Sequence, residues 1–265
     1  MASRTSMDLP GPELIDPDHY ARHGYPQDAW RRLRDEAPVH RVEGPDYPFW
    51  ALTRHQDIVE VSRDPLLYSN RPRFQIVVGA DYGSDDDREP ETMIHMDPPL
   101  HRRFREILAR RFTPRALSAL EEGMTALATE IVDRLFQEAE EGECDFVDRI
   151  AAPLPLAAVA WLLDLPRADW LPLYHWANAV VGATDPEYQR AGETAHETRL
   201  RASDEIYGYF HGLLADRAKG EGDDLVSLLT RAEVEGAPLT RHQLVSYCLF
   251  LVAGGTETTR NALSG

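Results

Sequence analysis

The pattern of apolar and polar positions predicts a mostly helical chain. Apolar residues recur at helical spacing from Thr113-Pro114 as far as Gly142, and proline suits the first turn of a helix. Segment 154–165 is apolar almost all round, which indicates a buried helix. The same spacing predicts further helices at 28–36, 57–64, 168–181, 193–219 and 224–231.

A minor β part is predicted near the N-terminus. Residues 39–42 and 49–52 are rich in strand-forming side chains and flank the turn signal Gly44-Pro45-Asp46, which predicts a small hairpin. Before it, residues 9–26 are dominated by Pro, Gly and Asp, which predicts extended chain on the surface. The fold class predicted from these elements is mainly α with a minor β part.

Two segments, 53–56 and 240–243, have the form of a capping box. In this motif the Thr oxygen accepts a hydrogen bond from an unpaired amide while the Gln side chain reaches back to the Thr amide. Each is predicted to open a helix, and the second helix is predicted to run from 241 to residue 265. Between 69 and 90 the periodicity is lost, which predicts a long loop, and such loops are usually functional or disordered.

Composition excludes several classes of partner. The 45 acidic residues exceed the 28 basic ones, and a net charge of -17 argues against nucleic acid or an anionic membrane surface as the main partner. We expect a cytoplasmic protein, because we find neither a signal peptide nor an apolar run that could span a membrane. The two cysteines, Cys144 and Cys248, form neither a disulfide framework nor a zinc motif.

The last predicted helix contains an unusual polar sequence. Gly254 and Gly255 each cost about 1 kcal/mol relative to Ala in a helix interior, so the pair requires a reason. Three hydroxyls and a carboxylate follow at 256–259, and Gly254 shares a helix face with Thr258. From these residues, two interpretations stay open: a groove that binds dioxygen, with a hydroxyl and an acid beside it, or a notch for a crossing helix with Glu257 solvated.

A basic cluster lies between His101 and Arg115, where the chain has six arginines and one glutamate. His101 and Arg105 lie four positions apart on one side of the predicted helix, so they could bind two neighbouring carboxylates. Arginine suits this task because its planar guanidinium binds carboxylates in a bidentate manner and stays charged. The alternative is a solvated basic face balanced by local acids.

Both segments resemble those of bacterial cytochromes P450. AGGTETTRN (253–261) resembles the distal helix that binds oxygen, and HMDPPLHRRFR (95–105) resembles the helix that holds the haem propionates. The resemblance covers essentially the whole chain and implies a P450-like fold that is incomplete at the C-terminus. It divides this N-terminal part of a single domain, residues 1–265, into an initial segment at 1–26, a substrate-covering loop at 69–93 and a truncated oxygen-groove helix at 241–265.

The resemblance also implies a role for each site residue. Thr258 would steady the iron-bound oxygen, Glu257 would be the acid of the proton relay, and Gly254 and Gly255 would form the groove. The remaining roles fall to two groups: His101 and Arg105 as ligands of the haem propionates, and Ile94, Phe250 and Ala253 as residues that face the substrate. A weaker implication is that three other arginines help a negatively charged redox protein to dock: Arg102, Arg103 and Arg110.

The implied activity is that of a haem-thiolate monooxygenase, which inserts one oxygen atom from O2 into an apolar substrate. Its cofactor would be haem b, with electrons from NAD(P)H through a ferredoxin-type donor. The segments NRPRF, TDPEY and GTETTRN resemble the actinobacterial branch that hydroxylates sterols and branched lipids. Neither cysteine suits the axial position, so we expect that cysteine beyond Gly265 and expect the 265-residue fragment alone to be inactive.

Two alternatives stay open from the sequence. The first is a non-catalytic, truncated P450-like helical binding protein that lacks the haem ligand. The second is a haem enzyme with histidine ligation, for which the available residues are His95, His101, His175, His196, His211 and His242. Their positions form no convincing ligand pair, which favours surface or capping roles.

Overall fold

The computed structural model describes residues 9–71, 76, 92–138 and 142–265 of the chain. The chain forms two compact units, the first made of 1–85 with 94–98 and the second of 86–93 with 99–265. The single-domain organisation implied by the resemblance stays a prediction. The predicted fold class is confirmed. The described residues are mostly helical, and their β part consists of two small antiparallel sheets of two strands each.

In its described residues, the first unit contains three α-helices and one hairpin. Its strands pair from Val39 with Leu52 to Val42 with Phe49, which confirms the predicted hairpin. The helix predicted at 28–36 is also confirmed. The elements are α1 Pro17–His23, α2 Gln27–Glu36, β1 Val39–Val42, β2 Phe49–Leu52 and α3 His55–Arg63.

The prediction of extended chain at 9–26 is wrong in part, because α1 lies within it. The side chain of Asp16 accepts a hydrogen bond from the Asp18 amide, and Pro17 occupies the first turn. Arg22 then forms an ion pair with Asp18 at 2.6 Å, one turn earlier. These residue types were visible as turn signals, but in this order they also start a helix.

The capping box predicted at 53–56 is wrong. Arg54 is the N-cap residue of α3, and it makes no side-chain cap hydrogen bond. The Thr53 hydroxyl donates instead to the Pro38 carbonyl at 3.3 Å, and the Thr53 amide donates to the same oxygen at 3.1 Å. Thr53 therefore extends the hairpin, and its hydroxyl does not cap the helix.

Most of the predicted substrate-covering loop at 69–93 lies outside the described residues. At its N-terminal margin, the Ser69 hydroxyl donates to the Asp97 carboxylate, and the Asn70 amide donates to the same carboxylate at 2.9 Å. These two hydrogen bonds lower the pKa of Asp97. Ser69 and Asn70 are thereby fixed to residue 97, which follows the loop in the sequence.

The second unit is helical apart from a short hairpin. The long amphipathic helix predicted to start at Pro114 and the helix predicted at 224–231 are confirmed, with slightly different bounds. Its elements are α4 Leu100–Leu108, α5 Pro114–Glu138, α6 Pro153–Leu162, α7 Trp170–Val181, α8 Ala195–Arg217, α9 Leu225–Thr230, β3 Glu233–Val234, β4 Ala237–Pro238 and α10 Arg241–Ser264. A 3-10 turn at Ala109–Phe112 follows α4, and a π-helical turn at Val147–Ala151 precedes α6.

Helix α6 lies at the centre of this unit, as the apolar segment 154–165 predicts. Ala157 is fully buried and packs with Leu127 and Ile131 of α5, while Leu156 packs with Tyr174 of α7. Burial of a leucine or isoleucine side chain contributes roughly 1.5 to 3 kcal/mol. Within the described residues, no helix is long and apolar enough to cross a membrane.

Candidate functional site

Helix α10 carries the unusual polar sequence, and its start is fixed by local chemistry. The Thr240 hydroxyl accepts from the Gln243 amide at 3.1 Å, and the Gln243 side chain accepts from the Thr240 amide at 3.0 Å. The second predicted capping box is therefore confirmed. The helix then continues without interruption through both glycines to Ser264.

Gly255 lies where α10 approaches α6. A Cβ atom at this position would stand 2.5 Å from Cγ2 of Val159, which is too close for any side chain without movement of a neighbour. Val159 is itself buried and β-branched, so it has little freedom to yield. The notch for a crossing helix, one of the two interpretations of the sequence, is thus the structural role of Gly255.

Gly254 points about 100° away from Gly255 around the helix, and it is exposed. Among the described residues, a Cβ atom there would have one neighbour within 4 Å, Cε2 of Phe250 at 4.0 Å. The Thr258 side chain is also exposed, and its hydroxyl donates to the Gly254 carbonyl at 2.6 Å. Such a bond from a side chain to a helix carbonyl competes with the backbone ladder. Gly254 and Thr258 therefore form an open polar face.

An apolar cavity of about 250 Å³ adjoins the glycines. Phe250, Gly254 and Gly255 are among the residues that line it, which brings together three of the predicted site residues. The other lining residues come from the 3-10 turn after α4, from α6 and its C-terminal end, from α9 and from α10: Phe112, Val159, Leu162, Leu163, Leu225 and Leu251. The cavity is suited to an apolar group, since its described lining carries no charge.

Two predicted substrate residues are not brought into this cavity. Ala253 is half-buried on α10 but is not among the lining residues. Ile94 belongs to the first unit, where it is half-buried in a 3-10 turn, Met93–His95. Their assignment to the substrate stays a prediction.

Glu257 is not simply solvated. Its side chain is 32% exposed, and its Oε1 lies 3.8 Å from Nη2 of Arg260. Arg260 in turn donates to the Tyr174 hydroxyl of α7 at 2.7 Å. The carboxylate therefore lies next to Thr258 in sequence and next to a cation in space.

On α4, His101 and Arg105 lie one turn apart, as predicted. His101 is half-buried and Arg105 is exposed, and neither makes a hydrogen bond or ion pair with another side chain that the structure describes. Neighbouring arginines are engaged: Arg102 pairs with Glu106 at 2.8 Å, Arg103 with Glu235, and Arg111 with Asp223. The side chain of Arg110 lies outside the described part. His101 and Arg105 are thus the basic groups of α4 that remain available for an external anion.

Sequence reasoning missed the residue that joins α4 to α10. The Tyr247 hydroxyl donates to the Phe104 carbonyl of α4 at 2.8 Å, and the two rings stack with centroids 6.3 Å apart. Tyr247 is buried, which raises the pKa of its phenol. The available signal was a tyrosine within an apolar run, because a buried phenol needs a hydrogen-bond partner.

Neither cysteine is placed as a thiolate ligand. Cys248 is completely buried in α10, and burial raises the pKa of its thiol, which keeps it protonated. Cys144 is exposed in the segment between α5 and α6. Within the described part of the chain, no group of three or more His, Cys, Asp or Glu side chains could hold a metal ion.

Several known proteins are similar to this chain in sequence and in fold. A linalool 8-monooxygenase of Pseudomonas putida is 34% identical over 260 residues, which cover 96% of this chain and 62% of that protein. A steroid C26-monooxygenase of Rhodococcus jostii is 34% identical over 263 residues, covering 96% and 54%. A cytochrome P450 of Mycobacterium marinum in complex with pseudoionone has a TM-score of 0.82 and 27% identity, covering 100% of this chain and 64% of that one. By fold and by sequence, nearly the whole chain is similar to bacterial cytochromes P450.

The match to the P450s has a defined extent. The chain spans just over half to three fifths of the length of these curated relatives. No family model matches the chain. The activity, substrates and partners of the whole protein are therefore matters of proposal.

The residues present fit the haem of a P450. The exposed Gly254 has no Cβ to fill the space beside Thr258, and the His101 and Arg105 side chains, which pair with no other side chain that the structure describes, are suited to propionates. Tyr247 joins α4 to α10 within the second unit through one hydrogen bond and one stacked ring pair. Among the described residues, the two cysteines do not supply the thiolate.

Proposed function

We propose that the complete protein is a cytochrome P450 monooxygenase that inserts one oxygen atom from O2 into an apolar substrate. The observation that carries this proposal is the open face of α10, where Thr258 and Gly254 are exposed while the adjacent Gly255 is packed against α6. A helix that served packing alone would have no need of a second glycine in open space.

In this proposal, His101 and Arg105 hold the propionates of haem b through charge-assisted hydrogen bonds. When bound, haem supplies the activation of dioxygen. Gly254 leaves room for a small molecule against the helix, and the Thr258 hydroxyl, which now donates to the Gly254 carbonyl, can turn outward to donate to it. Glu257 passes protons from water towards Thr258, which is the next residue on the helix.

The substrate is proposed to be an apolar molecule of terpenoid, sterol or branched-lipid type. The described lining of the cavity beside Phe250 carries no charge, so recognition there rests on shape and on apolar contact. The names of the relatives, a linalool monooxygenase and steroid monooxygenases, support this class. Phe250, Ala253 and Ile94 are proposed to contact the substrate.

Electrons are proposed to come from NAD(P)H through a ferredoxin-type donor. On α4, Arg102 is 82% exposed at its side chain, but it is paired with Glu106, and Arg103 is paired with Glu235. An acidic redox protein would have to compete with these pairs, which are weak because they are exposed. The cytoplasmic location stays a prediction from the sequence.

The first experiment is the carbon monoxide difference spectrum of the full-length protein after reduction. A red-shifted Soret band typical of thiolate ligation would support the proposal. A band typical of histidine ligation would favour the histidine-ligated haem enzyme. A protein that binds no haem on reconstitution would favour the non-catalytic binding protein.

A second measurement tests the substrate class. Titration of the haem-loaded protein with a sterol and with linalool, followed by the shift of its Soret absorption, compares the two classes that the relatives suggest. A shift with the sterol and none with linalool would support the lipid specificity predicted from the sequence. The opposite result would assign the protein to terpenoid substrates.

A further inference from the structure

Arg260 is held in place at the side of α10 that faces α7. Its side chain is only 15% exposed, its Nη1 donates to the Tyr174 hydroxyl at 2.7 Å, and its guanidinium carbon lies 5.9 Å from the centre of the Tyr174 ring. Burial lowers the pKa of Arg260, but the hydrogen bond to Tyr174 and the charge of Glu257 outweigh it and raise the pKa overall. Arg260 therefore stays charged in a fixed position.

Glu257 is the nearest acid to this fixed cation. Its Oε1 lies 3.8 Å from Nη2 of Arg260, three residues along the same helix. The Glu257 side chain is about one-third exposed, so a nearby positive charge can favour the position in which its carboxylate approaches Arg260. Arg260 also makes two long contacts to the Asn261 side chain, each 3.4 Å, so its attraction for Glu257 at 3.8 Å is that of two opposite charges and not of a hydrogen bond.

Arg260 also borders a large cavity. This cavity of about 890 Å³ lies between α5, α6, α7 and the C-terminal part of α10, and it is lined by Arg260, Tyr174 and Tyr188 among others. Polar groups such as His175 and Asn178 make the site suitable for ordered water. Glu257 is not among the described lining residues, so Arg260 is the side chain that contacts both the acid and the cavity.

We propose that Arg260, anchored by Tyr174, is a positioning residue for Glu257, whose carboxylate it keeps on the side of α10 that carries the cavity so that protons reach Thr258. This inference rests on the proposed function. Arg260 itself transfers no proton, and Tyr174 acts only through Arg260. The arrangement joins α7 to the proton relay through a residue that lies outside the glycine-threonine segment.

The test compares variants of the full-length, haem-loaded protein at saturating substrate. Relative to the native protein, we expect Arg260→Gln to lower kcat about tenfold and to increase the solvent hydrogen isotope effect, with KM changed less than about twofold. Arg260→Lys keeps the charge and should recover part of kcat. Tyr174→Phe keeps the ring but removes the hydroxyl, and it should lower kcat by less, about threefold.

Arg217→Gln is the matched control. Arg217 is similarly buried, at 26% exposure, and it pairs with Asp164 at 2.8 Å and with Asp224 at 3.3 Å, away from Glu257. Its loss should lower stability and leave the solvent isotope effect unchanged. An isotope effect in Arg260→Gln no larger than that in Arg217→Gln would overturn the positioning role.

Glu257→Gln separates the inference from the proposed function. If Glu257→Gln retains the native kcat and isotope effect, the proposed role of Glu257 is wrong. If Glu257→Gln lowers kcat while Arg260→Gln keeps the native kcat and the native isotope effect, only the positioning role is wrong. A readout independent of activity is the crystal structure of Tyr174→Phe: displacement of Arg260 and of the Glu257 carboxylate supports the inference, and an unchanged Glu257 contradicts it.

Discussion

The two faces of α10 place the same residue types in opposite surroundings. On one face, Gly255 meets Val159 of α6, and Thr256 is completely buried with its hydroxyl donating to the Val252 carbonyl at 2.7 Å. On the other face, Gly254 and Thr258 are exposed and make the corresponding bond at 2.6 Å. Both threonines donate to the carbonyl four residues earlier, so the surroundings of each one, and not its local hydrogen bond, decide whether it is closed in or open.

This difference bears on the two interpretations that the sequence left open. The notch for a crossing helix is present at Gly255, while Gly254 beside it faces open space; that this space binds dioxygen stays a prediction. Since 3.6 residues make one turn, consecutive positions point about 100° apart, and a double glycine therefore opens two sides of a helix. Variants that alter one face and spare the other test this separation.

The largest effect is expected on haem binding, from the two residues of α4 that are proposed to hold the propionates. Replacing His101 and Arg105 together, by Gln at both positions, should weaken haem binding by about 3 to 6 kcal/mol, because two charge-assisted hydrogen bonds are lost. Haem transfer to apomyoglobin measures this loss. Arg102→Gln is the matched control, since its exposed pair with Glu106 contributes little. A double variant that retains haem as the native protein does would disprove the assignment.

The next largest effect is on the free energy of unfolding, and it is expected to have opposite signs at the two glycines. Gly255→Ala should lower the free energy of unfolding by about 1 to 3 kcal/mol through overpacking against Val159, partly offset by the better helix propensity of Ala. Gly254→Ala should instead raise it, by up to about 1 kcal/mol, because its Cβ meets open space. Urea unfolding measures both. Equal changes in the two variants would mean that the faces do not differ in packing.

The glycine prediction can be sharpened by a second substitution. Val159→Ala removes the methyl group that stands 2.5 Å from the position of the added Cβ. In a double-mutant cycle, Val159→Ala should therefore restore part of the stability that Gly255→Ala loses. The same substitution combined with Gly254→Ala should give additive changes, because these two side chains do not share a contact.

The threonines should separate function from stability, with a smaller effect. Thr258→Ala is expected to keep haem and native stability but to lower the product formed per electron about tenfold. The lost fraction should appear as hydrogen peroxide. A tenfold change corresponds to about 1.4 kcal/mol of activation free energy. Thr256→Ala should leave this coupling unchanged and lower stability by about 1 kcal/mol, because a buried methyl is lost. Native coupling in Thr258→Ala would count against its proposed role.

Sequence reasoning succeeded where the deciding contacts were local. The capping box at Thr240 needed only Gln243, and the polar face at Gly254 and Thr258 needed only helical spacing. It failed where a distant partner decided the outcome. Thr53 lost its capping role to a carbonyl 15 residues earlier, and the clash at Gly255 comes from Val159 on another helix.

The tie between the two parts of the site was missed for the same reason. Tyr247 and Phe104 are 143 residues apart, and nothing in either segment specifies the other. A tyrosine in an apolar run indicates that a hydrogen-bond partner exists, but it does not say which carbonyl accepts. The link between α4 and α10 therefore required the three-dimensional structure.

The smallest effect concerns the hydrogen bond between Tyr247 and Phe104. Tyr247→Phe keeps the stacked ring but removes the hydrogen bond to Phe104, which should lower the free energy of unfolding by about 1 kcal/mol and also speed haem loss, because α4 is less firmly held against α10. Tyr209→Phe is the matched control: its hydroxyl donates to Asp169 at 2.8 Å, away from α4. It should lower stability similarly without changing the rate of haem loss. Equal rates in the two variants would show that the open face of α10 keeps its haem without the tie to α4.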